Sequence, residues 1–292
     1  MRRPEMTRAL WTARDLHRFG LERARAIGHY ALTGRDPASQ ALAEAKDLSI
    51  ELPGRTLRGR LYTPAEGPVR GLLLFFHGGG FVVGDIDSHD AMCRRLSAAG
   101  GFRTLSVAYR LAPEHLYPAQ LHDAFDAAEW ATRALGSGSL AIGGDSAGAY
   151  LAISTALARP GRFAAQLLIY PLLHLDEALW ADSVFKDGRI VGRMAVRYIR
   201  AQLHAAEAHA PSLLDCDLAG LPPTVLVSGG ALDPVRPDAL AFAKKAQAAG
   251  VDCEVQEYAL QLHGFLNLTH ISPIARQACI DAGEALGRRL RS

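Results

Sequence analysis

The apolar positions of this chain change their period twice. Before residue 48, Leu10, Ala13, Leu16, Phe19, Ala24 and Ile27 recur at roughly helical steps, and Asp36-Pro37 restarts the pattern at Ala38, so residues 1 to 47 read as amphipathic helix. From Leu48 the period is two. Leu48, Ile50 and Leu52 alternate with polar residues, Pro53-Gly54 turns the chain, and Leu57 to Tyr62 returns, which predicts a hairpin. Six short, nearly continuous apolar runs follow, at Gly71–Phe76, Thr104–Tyr109, Leu140–Gly143, Gln166–Tyr170, Thr224–Ser228 and Cys253–Tyr258. Runs of this length without alternation suit strands buried on both faces. Helical patterns lie between most of them, at His89–Ala99, Ala119–Leu135, Ala147–Ala158 and Pro237–Ala249, with a last helix near Ile274–Leu290. The expected fold class is α/β: a mainly parallel eight-stranded sheet flanked by helices.

One segment breaks the alternation. Leu172 to Leu214 separates two strands and carries Trp180, Phe185, Met194, Tyr198 and Ile199 at roughly helical spacing. The segment reads either as an extra packing helix or as a lid; since neither it nor residues 1–45 is needed to cover the sheet, the expected form is a helical cap over a pocket built from both. The remainder, 46–292 with a cap insertion at about 172–214, is expected to be one α/β domain. No repeat or low-complexity tract is visible.

Composition narrows the function classes. The chain of 292 residues is 49% hydrophobic and 21% charged, a balance that excludes disorder as its main state. Lys and Arg total 32 against 30 acidic residues, without a run of like charge, which argues against a nucleic-acid partner. The charged start MRRPEMTRALWTARDLHRF reaches neither a signal peptide's apolar stretch nor a membrane span, so the expected compartment is the cytoplasm, with no membrane partner. Cys93, Cys216, Cys253 and Cys279 form no CxxC pair and are expected as free, mostly buried thiols.

The sharpest chemical signal is Gly144-Asp145-Ser146-Ala147-Gly148, between a strand and a helix. Composition alone would produce this GxSxG pattern in roughly one such chain in eight, so the strand-to-helix setting is what gives it weight. There it forces a tight turn that projects the Ser146 hydroxyl at the strand's C-terminal edge. His77-Gly78-Gly79-Gly80-Phe81 follows the strand Gly71–Phe76, where small residues let backbone N–H groups face a cleft. The N–H groups of Gly78, Gly79 and Ala147 are the expected oxyanion donors.

A serine nucleophile needs a base, and the base needs a carboxylate. His263 follows the last strand candidate, and Asp233 follows Thr224–Ser228, giving the chain order Ser, Asp, His. Asp238 is an alternative acid, although it lies in the first turn of the next helix, where carboxylates favour the dipole. His204, Glu207 and His209 share one helical pattern, but the five-residue step separates the two histidines around the axis, so no metal is expected there. Asp145, His77 and His89 read as hydrogen-bonding residues near the cleft without a catalytic step.

HGGGF at 77–81, GDSAG at 144–148, Tyr109-Arg110-Leu111-Ala112-Pro113-Glu114-His115, DPV at 233–235 and HGF at 263–265 appear in order. On these motifs the chain resembles the bacterial hormone-sensitive-lipase family of α/β-hydrolases, from about residue 48 to the C-terminus. Residues 1–45 match only the family's variable cap. The resemblance implies carboxylic-ester hydrolysis without a cofactor, with Ser146 as nucleophile, His263 as base, Asp233 as its partner and Gly78, Gly79 and Ala147 as oxyanion donors. Ala149, Pro237 and Leu260 depart from the family pattern, which carries a third glycine, an acidic residue and a glycine at those places. The expected substrates are small esters with short acyl chains. A homodimer is a family-level expectation, with Ile274–Leu290 as a candidate pairing helix. The competing readings are an amidase or acyltransferase on the same triad, and a ligand-binding relative without turnover.

Overall fold

The computed structural model describes residues 20–23, 25–26, 36–136, 138–174, 199, 201 and 210–290. In chain order its strands are β1 (Ala43–Leu52), β2 (Arg55–Pro64), β3 (Leu72–Phe76), β4 (Arg103–Ala108), β5 (Leu140–Asp145), β6 (Ala165–Ile169), β7 (Thr224–Ser228) and β8 (Cys253–Glu257). Among the described residues, the α-helices whose bounds are defined are a single turn α1 (Pro37–Gln40), then α2 (Asp90–Gly100), α3 (Ala119–Leu135), α4 (Ala147–Ala158), α5 (Arg236–Ala248) and α6 (Pro273–Arg289). The strands make one sheet in the order β1-β2-β4-β3-β5-β6-β7-β8, antiparallel across β1, β2 and β4 and parallel from β4 to β8.

The sequence pattern explains the centre of this sheet. Every residue of β3 is buried, as is every residue of β6 and β7. Such strands have no solvent face, and helices flank the sheet, α2 packing with α6 and α3 with α4. The parallel order sends the C-terminal ends of β3, β5, β7 and β8 to the same edge, with β3 beside β5. That edge therefore collects the loops carrying HGGGF, GDSAG, Asp233 and His263.

The helical pattern read for residues 1–47 gives way to strand at Ala43. Residues 43–47, AEAKD, favour helix by propensity, yet they belong to β1, which pairs with β2 over ten residues from Ala43↔Pro64 to Leu52↔Arg55. A ladder of that length overrides a weak local preference. Leu10, Ala13, Leu16, Phe19, Ala24 and Ile27 lie outside the described residues, as do Trp180, Phe185, Met194 and Tyr198 of the 172–214 segment. Of the early segment, Arg25 holds the body of the protein: Nε donates to the Val82 carbonyl at 2.9 Å, and the guanidinium reaches Ala112 O and Glu114. Of the later segment, Ile199 stands over Gly80 so closely that a Cβ at Gly80 would fall 2.3 Å from it.

Candidate active site

Ser146 sits on the turn between β5 and α4 with φ 52° and ψ −117°, a conformation rare for residues other than glycine. Surrounding bonds hold it there. Its N–H donates to Ile169 O at 2.9 Å, and its carbonyl accepts from the Leu172, Ala149 and Tyr150 N–H groups. The flanking glycines follow from space. A Cβ at Gly148 would lie 1.9 Å from the Phe76 carbonyl oxygen, and one at Gly144 would lie 2.5 Å from the same atom. The GxSxG pattern is thus the condition for the turn to pass beneath the end of β3.

The three groups singled out as a triad meet at this edge. His263 Nε2 is 2.9 Å from Ser146 Oγ, and His263 Nδ1 is 3.1 Å from Asp233 Oδ1. Ser146 is 8% exposed, His263 5% and Asp233 3%. Asp233 Oδ1 also accepts the Val235 N–H at 3.0 Å, which orients the carboxylate independently of the imidazole. The acid and base loops are tied to each other by the Gly230 N–H bonded to Gln261 O and by a bridge between Leu232 and Leu262. This arrangement can hold Nδ1–H on the carboxylate and leave Nε2 to accept a proton from the serine. Asp238 is committed elsewhere: its carboxylate lies 3.0 Å from His174 Nε2.

Sequence reasoning overlooked Tyr170, which follows β6 and presses its ring against His263 with centroids 4.9 Å apart. Its only signal in the chain is an aromatic residue at a strand's C-terminal end. Among the departures from the family pattern, Pro237 takes a first-turn position of α5, where an absent N–H costs nothing, and Ala149 is buried in α4. Leu260 is exposed at φ 61°, the left-handed conformation that glycine adopts without strain. His204, Glu207 and His209 lie outside the described residues.

One expectation is corrected. The Gly78 N–H does not face the cleft; it donates to Asp145 Oδ1 at 2.7 Å, because the Asp145 side chain rises directly beneath the glycine loop. A donor spent on a buried carboxylate is not available to an oxyanion. Gly79 and Gly80 follow with φ 118° and 61°. The loop is braced from below by the Tyr109 hydroxyl, which donates to His77 O at 2.7 Å, and by the Ala112 N–H, which donates to Phe81 O at 2.9 Å. The YRLAPEH segment thus supports the glycine loop.

Residues 73–267 match the model of a family described as having the alpha/beta hydrolase fold. Esterase LipI of Mycobacterium tuberculosis is 36% identical over 256 residues, covering 80% of this chain and 78% of that protein. Ethyl acetate hydrolase of Pseudomonas putida is 31% identical over 266 residues, covering 84% of this chain and 82% of that protein. Among solved structures, an esterase from the bacterial hormone-sensitive lipase family superposes with a TM-score of 0.83 at 26% identity, covering 92% of each chain. Motifs, topology and relatives agree: the chain belongs to the bacterial hormone-sensitive-lipase family of α/β-hydrolases and is a carboxylic ester hydrolase.

Proposed function

We propose that Ser146, His263 and Asp233 are the catalytic triad and that hydrolysis passes through an acyl-enzyme on Ser146. The observation that carries this reading is the unbroken relay of 2.9 Å from Ser146 Oγ to His263 Nε2 and 3.1 Å from Nδ1 to Asp233. Ser146 Oγ attacks the ester carbonyl carbon while His263 Nε2 takes its proton. The tetrahedral oxyanion collapses, the C–O bond to the alcohol breaks, and His263 returns the proton to the leaving alcohol. A water molecule, deprotonated by the same imidazole, then releases the acid. The oxyanion donors in this reading are the N–H groups of Gly79, Gly80 and Ala147, the last at the positive end of α4.

The substrate in this reading is a small ester with a short acyl chain. Ile199 closes directly on Gly80, and Ser146 and His263 are nearly covered, which leaves narrow access to the reacting carbon. The name of the Pseudomonas putida relative, ethyl acetate hydrolase, supports the same size class. The test is hydrolysis of nitrophenyl acetate, butyrate and long-chain esters by the wild type and Ser146→Ala. The expected result is preference for the two short esters and a loss of about 10⁴-fold or more in kcat for the variant. Comparable rates for the two proteins would remove the triad, and faster hydrolysis of the long chains would remove the substrate class.

A further inference from the structure

His89 is a buried titratable residue that the relay does not use. Its ring is 1% exposed and lies against Asp145, which is 2% exposed. Nδ1 is 2.9 Å from Ser88 Oγ and 3.2 Å from the Asp85 carbonyl oxygen. The Ser88 hydroxyl already donates its proton to that carbonyl, so Nδ1 faces two acceptors. Nε2 is 3.1 Å from Asp145 Oδ1, a third acceptor. A ring whose two nitrogens both face acceptors donates from both and is an imidazolium. The Asn267 amide lies 3.5 Å from Nε2 with its oxygen buried and without a partner; turned over, the amide places that oxygen against the same N–H.

The surroundings are consistent with that charge. The rings of Phe75 and His77 pack beside His89, with centroids at 6.4 and 5.5 Å. His77 is neutral, since burial and then the charge of His89 hold its pKa down to about 4. For His89 itself burial favours the neutral ring, but the charge and hydrogen bond of Asp145 outweigh it and raise the pKa. Burial likewise opposes ionisation of Asp145, and the His89 charge with the Gly78 N–H outweighs it and lowers the pKa.

Asp145 Oδ1 thus accepts from both His89 and the Gly78 N–H, while its backbone precedes Ser146 in the nucleophile turn. A lone carboxylate there would stand close to the place where negative charge develops in the transition state, in a site of low dielectric. We infer that His89 and Asp145 are a charged pair of positioning residues: the carboxylate clamps the HGGGF loop to the nucleophile turn, and the imidazolium cancels the charge this clamp would otherwise set against the oxyanion. The inference rests on the reading that this loop holds the oxyanion.

Charge compensation tests it. His89→Gln leaves the carboxylate uncompensated and lowers kcat by about 30-fold with KM within about twofold. Adding Asp145→Asn removes the charge, keeps an acceptor for Gly78, and restores most of that loss. A double variant no faster than His89→Gln, or a His89→Gln enzyme with unchanged kcat, overturns the proposal. The wild type supplies a second reading that needs no variant. Nitrogen-15 histidine spectra at about pH 7.5 are expected to show one exchange-protected ring with both nitrogens protonated, whereas a neutral tautomer on every protected ring contradicts the proposal. Ser146→Ala in the same kinetic series separates the two assignments. Undiminished activity there overturns the triad, while the spectrum still decides the charge of His89.

Discussion

Replacing Asp233 by asparagine removes one charge and changes no volume, and the structure sets the size of the effect. Asp233 Oδ1 accepts from both His263 Nδ1 and the Val235 N–H, while Oδ2 is buried without a partner. An asparagine that keeps its oxygen at the Oδ1 place strands its NH₂ in the apolar interior. Turned over, it presents NH₂ to Nδ1 and moves the imidazole proton to Nε2, the atom that accepts from Ser146 in the proposed relay. In the first orientation the tautomer survives, but the imidazolium formed during attack loses its counter-charge. With about 4 Å between charge centres and an effective dielectric of about 20, that interaction is worth about 4 kcal/mol. This corresponds to a loss of about 10³-fold in kcat/KM. Asp238→Asn is the control: its partner is His174, and kcat/KM is expected to stay within about twofold. The assay is nitrophenyl butyrate hydrolysis by folded, concentration-matched proteins. A loss below tenfold for Asp233→Asn, or an equal loss for Asp238→Asn, refutes the reasoning.

Leu260→Gly is expected to stabilise the protein. Leu260 is 70% exposed at φ 61°, where about 1–3 kcal/mol of backbone strain is relieved against about 0.4–1 kcal/mol of added unfolded-state entropy. Calorimetry should show Tm higher by about 2 °C, and a lower Tm would contradict the strain argument. The four cysteines are free; Cys216 is half-buried, while Cys93, Cys253 and Cys279 are buried. Burial pushes the Cys253 thiol up to about 11 and the Cys279 thiol up to about 12, so an aromatic disulfide reagent should titrate about one thiol quickly in the native protein and all four in denaturant. Rapid reaction of two or more native thiols would contradict the burial.

What the sequence made legible was whatever depends on local sterics or on strand order. Gly144 and Gly148 are required by the carbonyl of Phe76, and a tight turn announces such a requirement in five residues. Asp233 and His263 were readable because parallel strands send their C-terminal ends to one edge, so each position after a strand is a candidate. Two kinds of feature were not legible. The start of β1 at Ala43 depends on a partner strand ending at Pro64, which residue propensity does not register. The direction of the Gly78 N–H depends on a side chain 67 positions away, and glycine-rich loops carry no mark of which amide faces inward. The same holds for His89 and Asp145: each reads singly as a polar residue near a cleft, and only their meeting at 3.1 Å gives them a shared task. Tyr170 falls in the same class, since its contact with His263 joins two loops across the sheet edge.

The proposed nucleophile is the Ser146 hydroxyl, activated by His263. The most direct measurement is mass spectrometry of protein treated with a nitrophenyl dialkyl phosphate: a nucleophilic serine attacks its phosphorus, expels nitrophenolate and is left as a stable dialkyl phosphoester. The expected result is one adduct per chain, on the peptide containing Ser146, formed at wild-type speed only when His263 is present. Labelling of another residue, or labelling of Ser146 at the same rate in His263→Ala, would contradict it.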